Sequence, residues 1–152
     1  MSAVSAHPQG TMPLSRKVLC AVYGGIAVAA MIGTWSQGGP YLHSATGFFI
    51  NFWRDTKVTP ASRFATVDVL MLFLAVAILM VIEARKYNVR FVWAYIVGSF
   101  FVAGSVAFPL FLLARELKIG RSEPLNLPSV DTILLIVLAM ALLALTVWVD
   151  AA

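Results

Sequence analysis

Residues 64–82 read FATVDVLMLFLAVAILMVI and contain one charged side chain, that of Asp68. A helix of this length reaches across most of a ~30 Å hydrocarbon layer, because each residue adds ~1.5 Å. A helix also satisfies its own backbone amides inside a bilayer. Three further apolar stretches, over residues 18–36, 91–114 and 133–149, contain no charged side chain. The sequence therefore predicts an all-α integral membrane protein built as a bundle of four transmembrane helices.

The composition supports a membrane protein. Of the 152 residues, 61% are hydrophobic and 12% are charged, which is far from the composition of an ordinary soluble domain. Residues 1–15 contain several Pro, Gly and Ser residues and predict a flexible tail, and residues 16–150 predict a single bundle. The net charge of +4 lies in short segments between the spans, which favours binding to lipid headgroups over binding to nucleic acid.

The basic residues give an orientation. Five Lys and Arg residues are expected on the N-terminal side of the membrane and six on the other side, but the six lie in longer loops among acidic residues. Basic residues in short loops close to span ends carry the most weight. The short basic turn over residues 83–90 therefore favours a multi-pass protein with both termini in the cytoplasm.

The loop after the first span is rich in large apolar side chains, which would be costly to leave in water. We expect an amphipathic helix over residues 43–55 that lies flat in the membrane interface, with Arg54 and Lys57 reaching headgroups. A lid or a docking surface for a lipid or a partner protein is the alternative. The interfacial anchor consists of Phe48, Phe49, Phe52 and Trp53.

Small residues recur every four positions along two of the spans, so that each set forms one strip on a helix. Such strips allow close helix packing, on which association in lipid depends. We expect the two strips to pack together inside the bundle, and the alternative assigns one strip to another subunit. The first strip is Ala21, Gly25, Ala29 and Gly33, and the second is Ser99, Ala103 and Ala107.

Asp68 needs a counter-charge because a carboxylate is costly in hydrocarbon. If the helices alternate in direction, the start of the second span meets the end of the third, which predicts an ion pair between Asp68 and Arg115. A proton-transfer or ligand-binding role is the alternative. At the opposite face, Glu83 is expected to form an interfacial ion pair with Arg90 or Arg16.

Pro109 lies inside the third predicted span, where it removes a backbone hydrogen bond. We expect a kink at this position. Such a kink could open a small crevice near Asp68, although prolines are tolerated in membrane helices without this consequence.

An ordered set of residues resembles a family of small bacterial integral membrane proteins, the domain of unknown function 2834. The set comprises the segments FATVDVL at 64–70, EARK at 83–86 and PLFL at 109–112, with Trp93, Gly98, Gly104 and the Arg115-Glu116 pair. The resemblance covers about residues 17–118 and implies a location in the bacterial inner membrane. It implies no reaction, ligand or cofactor.

No catalytic, metal or cofactor motif is recognisable. His7 and His43 both lie outside the spans, and Cys20 is the only cysteine, so the spans offer no set of ligands for haem or a metal ion. We therefore expect no cofactor. The first functional hypothesis is a non-catalytic accessory subunit that stabilises or regulates a larger membrane complex, such as a lipid-transport permease. Its partners would be membrane lipids and other integral membrane subunits. The alternative is an independent carrier or enzyme for a lipid or isoprenoid.

Overall fold

The computed structural model describes residues 12–41, 47–119 and 128–150, and this part of the chain folds into helices without strands. The first helix begins at Leu14, inside the predicted flexible tail, of which residues 1–11 lie outside the described part. The elements are α1 (Leu14–Ser36), a 3-10 turn (Gly39–Tyr41), α2 (Gly47–Asp55), α3 (Pro60–Tyr87), α4 (Val92–Phe101), α5 (Gly104–Ile119) and α6 (Ser129–Asp150).

Three of these helices, α1, α3 and α6, are long and apolar enough to cross a membrane. They correspond to three of the four predicted spans, and they indicate a membrane protein. Thr59 caps the start of α3 by accepting a hydrogen bond from the Ser62 backbone, and Pro60 occupies the first position of that helix. At its other end, Asn88 adopts a left-handed conformation that ends α3.

The prediction of one continuous span over residues 91–114 is wrong. The chain forms two helices there, α4 and α5, separated at Val102 and Ala103. The rings of Tyr95 and Phe111 lie 5.9 Å apart, whereas 16 positions along one straight helix would separate them by about 24 Å. The two helices therefore double back on each other, and we call this unit the α4–α5 hairpin.

Local packing at the tip of the hairpin explains the reversal. The Trp35 indole donates a hydrogen bond of 2.9 Å to the carbonyl of Val102, which has left the helical pattern. The carbonyl of Ala103 accepts backbone hydrogen bonds from the first turn of α5. A Cβ on Gly104 would lie 3.5 Å from the Phe73 ring, so α5 begins close against α3. The reversal thus keeps polar backbone groups paired in apolar surroundings.

The proline inside α5 does not mark the change of direction. Pro109 is buried, and α5 continues through it as one helix. The chain reverses at Val102 and Ala103, and the kink predicted at Pro109 stays a prediction.

The hydrophobic core lies where α3 and the hairpin meet, near the C-terminal end of α3. Phe111 and Met80 are fully buried at its centre. α1 packs along α5, whereas α6 is exposed along residues 129–149 and approaches α1 where Thr146 meets Gly33. The buried core cluster consists of Met80, Ala84, Val89, Val92, Ile96 and Phe111.

The hairpin makes a prediction about sidedness. Single cysteines at the exposed positions Asn88 and Lys118, in a chain whose Cys20 is replaced by Ala, should react with an impermeant thiol reagent from the same compartment. A cysteine at Val58, at the other end of α3, should react from the opposite compartment. Labelling of Lys118→Cys together with Val58→Cys would mean that residues 91–114 cross the membrane once.

Candidate functional site

Four charged side chains form an ion-pair network at one end of the bundle. The Arg16 guanidinium contacts the Glu116 carboxylate at 2.6 Å, and Arg115 contacts the other oxygen of Glu116 at 2.7 Å. Arg115 also donates through Nε to Glu83 at 2.5 Å. The network consists of Arg16, Glu116, Arg115 and Glu83, and it joins α1, α5 and α3. We call this end of the bundle the network end.

The core beneath the network positions it. Phe111 lies one turn before Arg115 on α5, and Met80 lies one turn before Glu83 on α3. Because Phe111 and Met80 pack together in the buried cluster, Arg115 and Glu83 emerge side by side above it. The Arg115 guanidinium also lies 4.8 Å from the centre of the Tyr87 ring, which adds a cation–π contact.

Because part of the network is buried, its charges must neutralise one another. The Arg16 and Glu116 side chains are 8% and 3% exposed, so neither is solvated by water. Two guanidinium groups and two carboxylates add to zero net charge, and Glu116 uses both oxygens on arginines. Such an arrangement holds three helices in register.

The predicted pair between Asp68 and Arg115 is wrong, because Arg115 is bound to Glu83 and Glu116. Asp68 is exposed, 15 residues or about 22 Å before Glu83 along α3. The hairpin explains the error, since it returns Arg115 to the end of α3 at which α4 began. The predicted crevice near Asp68 therefore has no guanidinium from Arg115 at its polar end.

The predicted pair between Glu83 and Arg90 is also corrected, because the partner of Glu83 is Arg115 and Arg90 is exposed. The sequence reasoning missed the contact between Arg16 and Glu116 altogether. The adjacency of Arg115 and Glu116 was visible in the sequence, but the approach of α1 to this pair depends on the hairpin.

The two strips of small residues differ in their surroundings. The second strip is not formed on one helix, because Ser99 lies on α4, Ala103 in the turn and Ala107 on α5. Ser99 and Ala107 are buried, and Ala103 is half-buried. In the first strip, Ala21, Gly25 and Ala29 are exposed, and a Cβ built on Gly25 would meet nothing within 4 Å. A Cβ built on Gly33, the last member, would lie 3.6 Å from the Thr146 methyl group of α6. The two strips therefore do not pack against each other along their length.

Aromatic side chains join α2 to the end of α1. The Phe48 ring stacks on Trp35 at 6.0 Å, and Phe49 meets Phe101 of the hairpin edge-on at 5.8 Å. Of the predicted interfacial helix, residues 47–55 form α2, and residues 43–46 lie outside the described part. The Tyr41 hydroxyl donates to Asp55 at 2.9 Å, and this hydrogen bond raises the pKa of Tyr41.

A groove of about 650 Å³ opens beside α2. The exposed rings of Phe49 and Trp53 form part of its apolar lining, while Arg54 and Lys57 provide positive charge beside it. Arg54 also lies 3.5 Å from Asp55, but both side chains are exposed, so this pair contributes little to stability.

Comparison with known families supports the resemblance noted in the sequence. The family model described as protein of unknown function DUF2834 matches residues 22–117. The chain belongs to this family. The DUF2834 match includes Glu83, Arg115 and Glu116 but ends before α6. No curated protein and no solved structure matches the chain.

In the ranges 12–41, 47–119 and 128–150, no group of three or more His, Cys, Asp or Glu side chains is placed to hold a metal ion. The expectation that the chain uses no cofactor stays a prediction.

The network predicts that neutralising one of its carboxylates strongly destabilises the protein. Glu116→Gln should lower the free energy of unfolding by about 3 to 5 kcal/mol, because it leaves the buried Arg16 without its carboxylate. Unfolding monitored by circular dichroism in mild detergent would measure it. Asp131→Asn, at the exposed first turn of α6, is the control and should cost less than about 1 kcal/mol. Equal losses in the two variants would contradict a structural role for the network.

Proposed function

We propose that this DUF2834 protein is a non-catalytic accessory subunit that stabilises or regulates a larger membrane complex. The observation that carries the proposal is the exposed strip on α1. Ala21, Gly25 and Ala29 present almost no side-chain bulk, and the space beside Gly25 is open. In lipid, such a surface gains most from a second helix that approaches closely, because lipid tails offer no comparable shape complementarity.

Two further features support an accessory role. The exposed surface of α6 extends along residues 129–149, so this helix buries little of its apolar surface within the chain. The charged groups of the network are paired with one another and serve packing. The alternative function, an independent carrier or enzyme for a lipid or isoprenoid, relied on a crevice shared by Asp68 and Arg115, and the geometry gives that crevice no support.

We place the network end in the cytoplasm. The hairpin brings Arg115 and Lys118 to the end that already holds the start of α1 and the turn after α3, so seven described basic residues lie there. Three lie at the other end, and this asymmetry is what the positive-inside rule selects. The seven are Arg16, Lys17, Arg85, Lys86, Arg90, Arg115 and Lys118, and the three are Arg54, Lys57 and Arg63.

The same topology gives three crossings, by α1, α3 and α6, with the hairpin entering and leaving at the cytoplasmic side. The contact of Thr146 with Gly33 supports it, because it brings the C-terminal parts of α1 and α6 together. Residue 150 would then lie on the side opposite to α1's first residue, which differs from the prediction that both termini are cytoplasmic.

At the other end, α2 would lie in the membrane interface of the bacterial inner membrane. Its apolar rings, with Arg54 and Lys57 beside the groove, suit contact with acyl chains and phosphate headgroups together. A complex that handles lipids would bring its substrate to such a surface. A lipid-transport permease is therefore the first partner class to test.

The accessory role predicts a partner that depends on α1. A tagged chain purified from native membranes in mild detergent should carry a stoichiometric membrane protein. Gly25→Leu should reduce the recovered partner at least about tenfold, because the added side chain prevents close helix approach. Ala94→Leu, which introduces the same side chain at an exposed position of α4, should leave recovery unchanged. A chain that purifies alone from native membranes would refute the proposal.

A further inference from the structure

Asp68 lies on the face of α3 that points away from the core. The core-facing side of α3 carries Phe73, Ala77 and Met80, and the helical repeat puts Asp68 nearly opposite them. Its neighbours one or two turns away on this face are exposed and uncharged. These neighbours are Phe64, Met71, Leu72 and Ala75, and together with Asp68 they form what we call the outer face of α3.

At the depth of Asp68 in the membrane, a charged carboxylate without a counter-charge is unfavourable. With 28 residues, α3 is about 42 Å long and exceeds the ~30 Å hydrocarbon layer. When α3 is centred in that layer, Asp68 lies about 8 Å from the middle and about 7 Å inside the boundary. An ionised group at such a depth requires an opposite charge or a polar cavity, and the outer face offers neither.

The described part of the chain does not supply the opposite charge. The Nε of nearby Arg63 donates to the carbonyl of Thr59, which turns this side chain towards the start of α3 and away from Asp68. Arg115 is bound in the network. Within the described part of the chain, no ion pair or hydrogen bond reaches the Asp68 side chain, and the described lysines and arginines lie near helix ends or in connecting segments.

We propose that the outer face of α3 binds an apolar transmembrane helix of a partner subunit that carries a Lys or Arg side chain at the depth of Asp68. This inference rests on the accessory function proposed above and adds the chemistry of the partner. The cation pairs with the carboxylate, and the small side chain of Ala75, two turns further along α3, lets the partner helix approach. The face on α1 and the face on α3 are then two separate contacts.

A second copy of this chain offers no counter-charge for Asp68 on the outer face of α3. In a two-fold symmetric contact between outer faces, the two Asp68 carboxylates would approach each other, and like charges repel. Between Phe64 and Ile82 the helix carries no basic side chain that could compensate them. Charge complementarity therefore selects a different protein.

Site-specific photocrosslinking in native membranes tests the inference with the full-length chain. A photoreactive residue at Met71 should form an adduct with a membrane protein whose crosslinked segment is apolar and contains Lys or Arg. Asp68→Asn should reduce the yield of this adduct at least about tenfold, since one member of a desolvated ion pair is lost. Asp68→Glu should retain the adduct, and Asp131→Asn should not affect it. Exchange of the charges, with Asp68→Lys and the partner's cation changed to Asp, should restore it.

Several outcomes overturn the inference. An adduct with lipid alone, an adduct with a second copy, or a partner segment without a basic residue each does so. A photoreactive residue at Gly25 separates the two proposals. Adducts at Gly25 without adducts at Met71 would contradict the proposed cationic partner helix but not the accessory function. The absence of protein adducts at both positions would contradict both proposals. Unchanged labelling of Asn88→Cys and Lys118→Cys verifies that each Asp68 variant is folded.

Discussion

A carboxylate shielded from water must be neutralised where it lies, and Glu116 is the clearest case in this protein. Its side chain is 3% exposed, and an arginine occupies each of its oxygens. One arginine comes from α1 and the other is its own neighbour on α5, which reaches on to Glu83 of α3. The helices can therefore assemble in one register only, because any shift by a turn would leave a buried charge without its partner.

The hairpin makes this assembly possible, and it also sets the distribution of charge across the molecule. α4 has ten residues, about 15 Å, so it reaches only halfway through a bilayer before the chain reverses. Trp35 stabilises the reversal from α1 by binding the Val102 carbonyl. The same helix thus anchors both ends of α5, through Arg16 at the network and through its indole at the tip.

Much of the fold could be read from the sequence, and the errors share one cause. Apolar length and the absence of charge identify α1, α3 and α6, because those properties depend on each segment alone. The reversal at Val102 and Ala103 depends on contacts with Trp35 and Phe73 from other helices, and no local signal in residues 91–114 marks it. A single straight span would carry Arg115 to the end of the bundle that holds the start of α3, and the predicted pair with Asp68 depends on that position.

The weak attachment of α6 has a consequence for which substitutions this helix can accept. The family match ends at residue 117, and the α6 side chains face outward over residues 129–149. Packing inside the chain therefore constrains few of these positions beyond Thr146. Exchanges among apolar residues of similar size leave the folded core untouched, so a selection pressure on this helix must come from its surroundings.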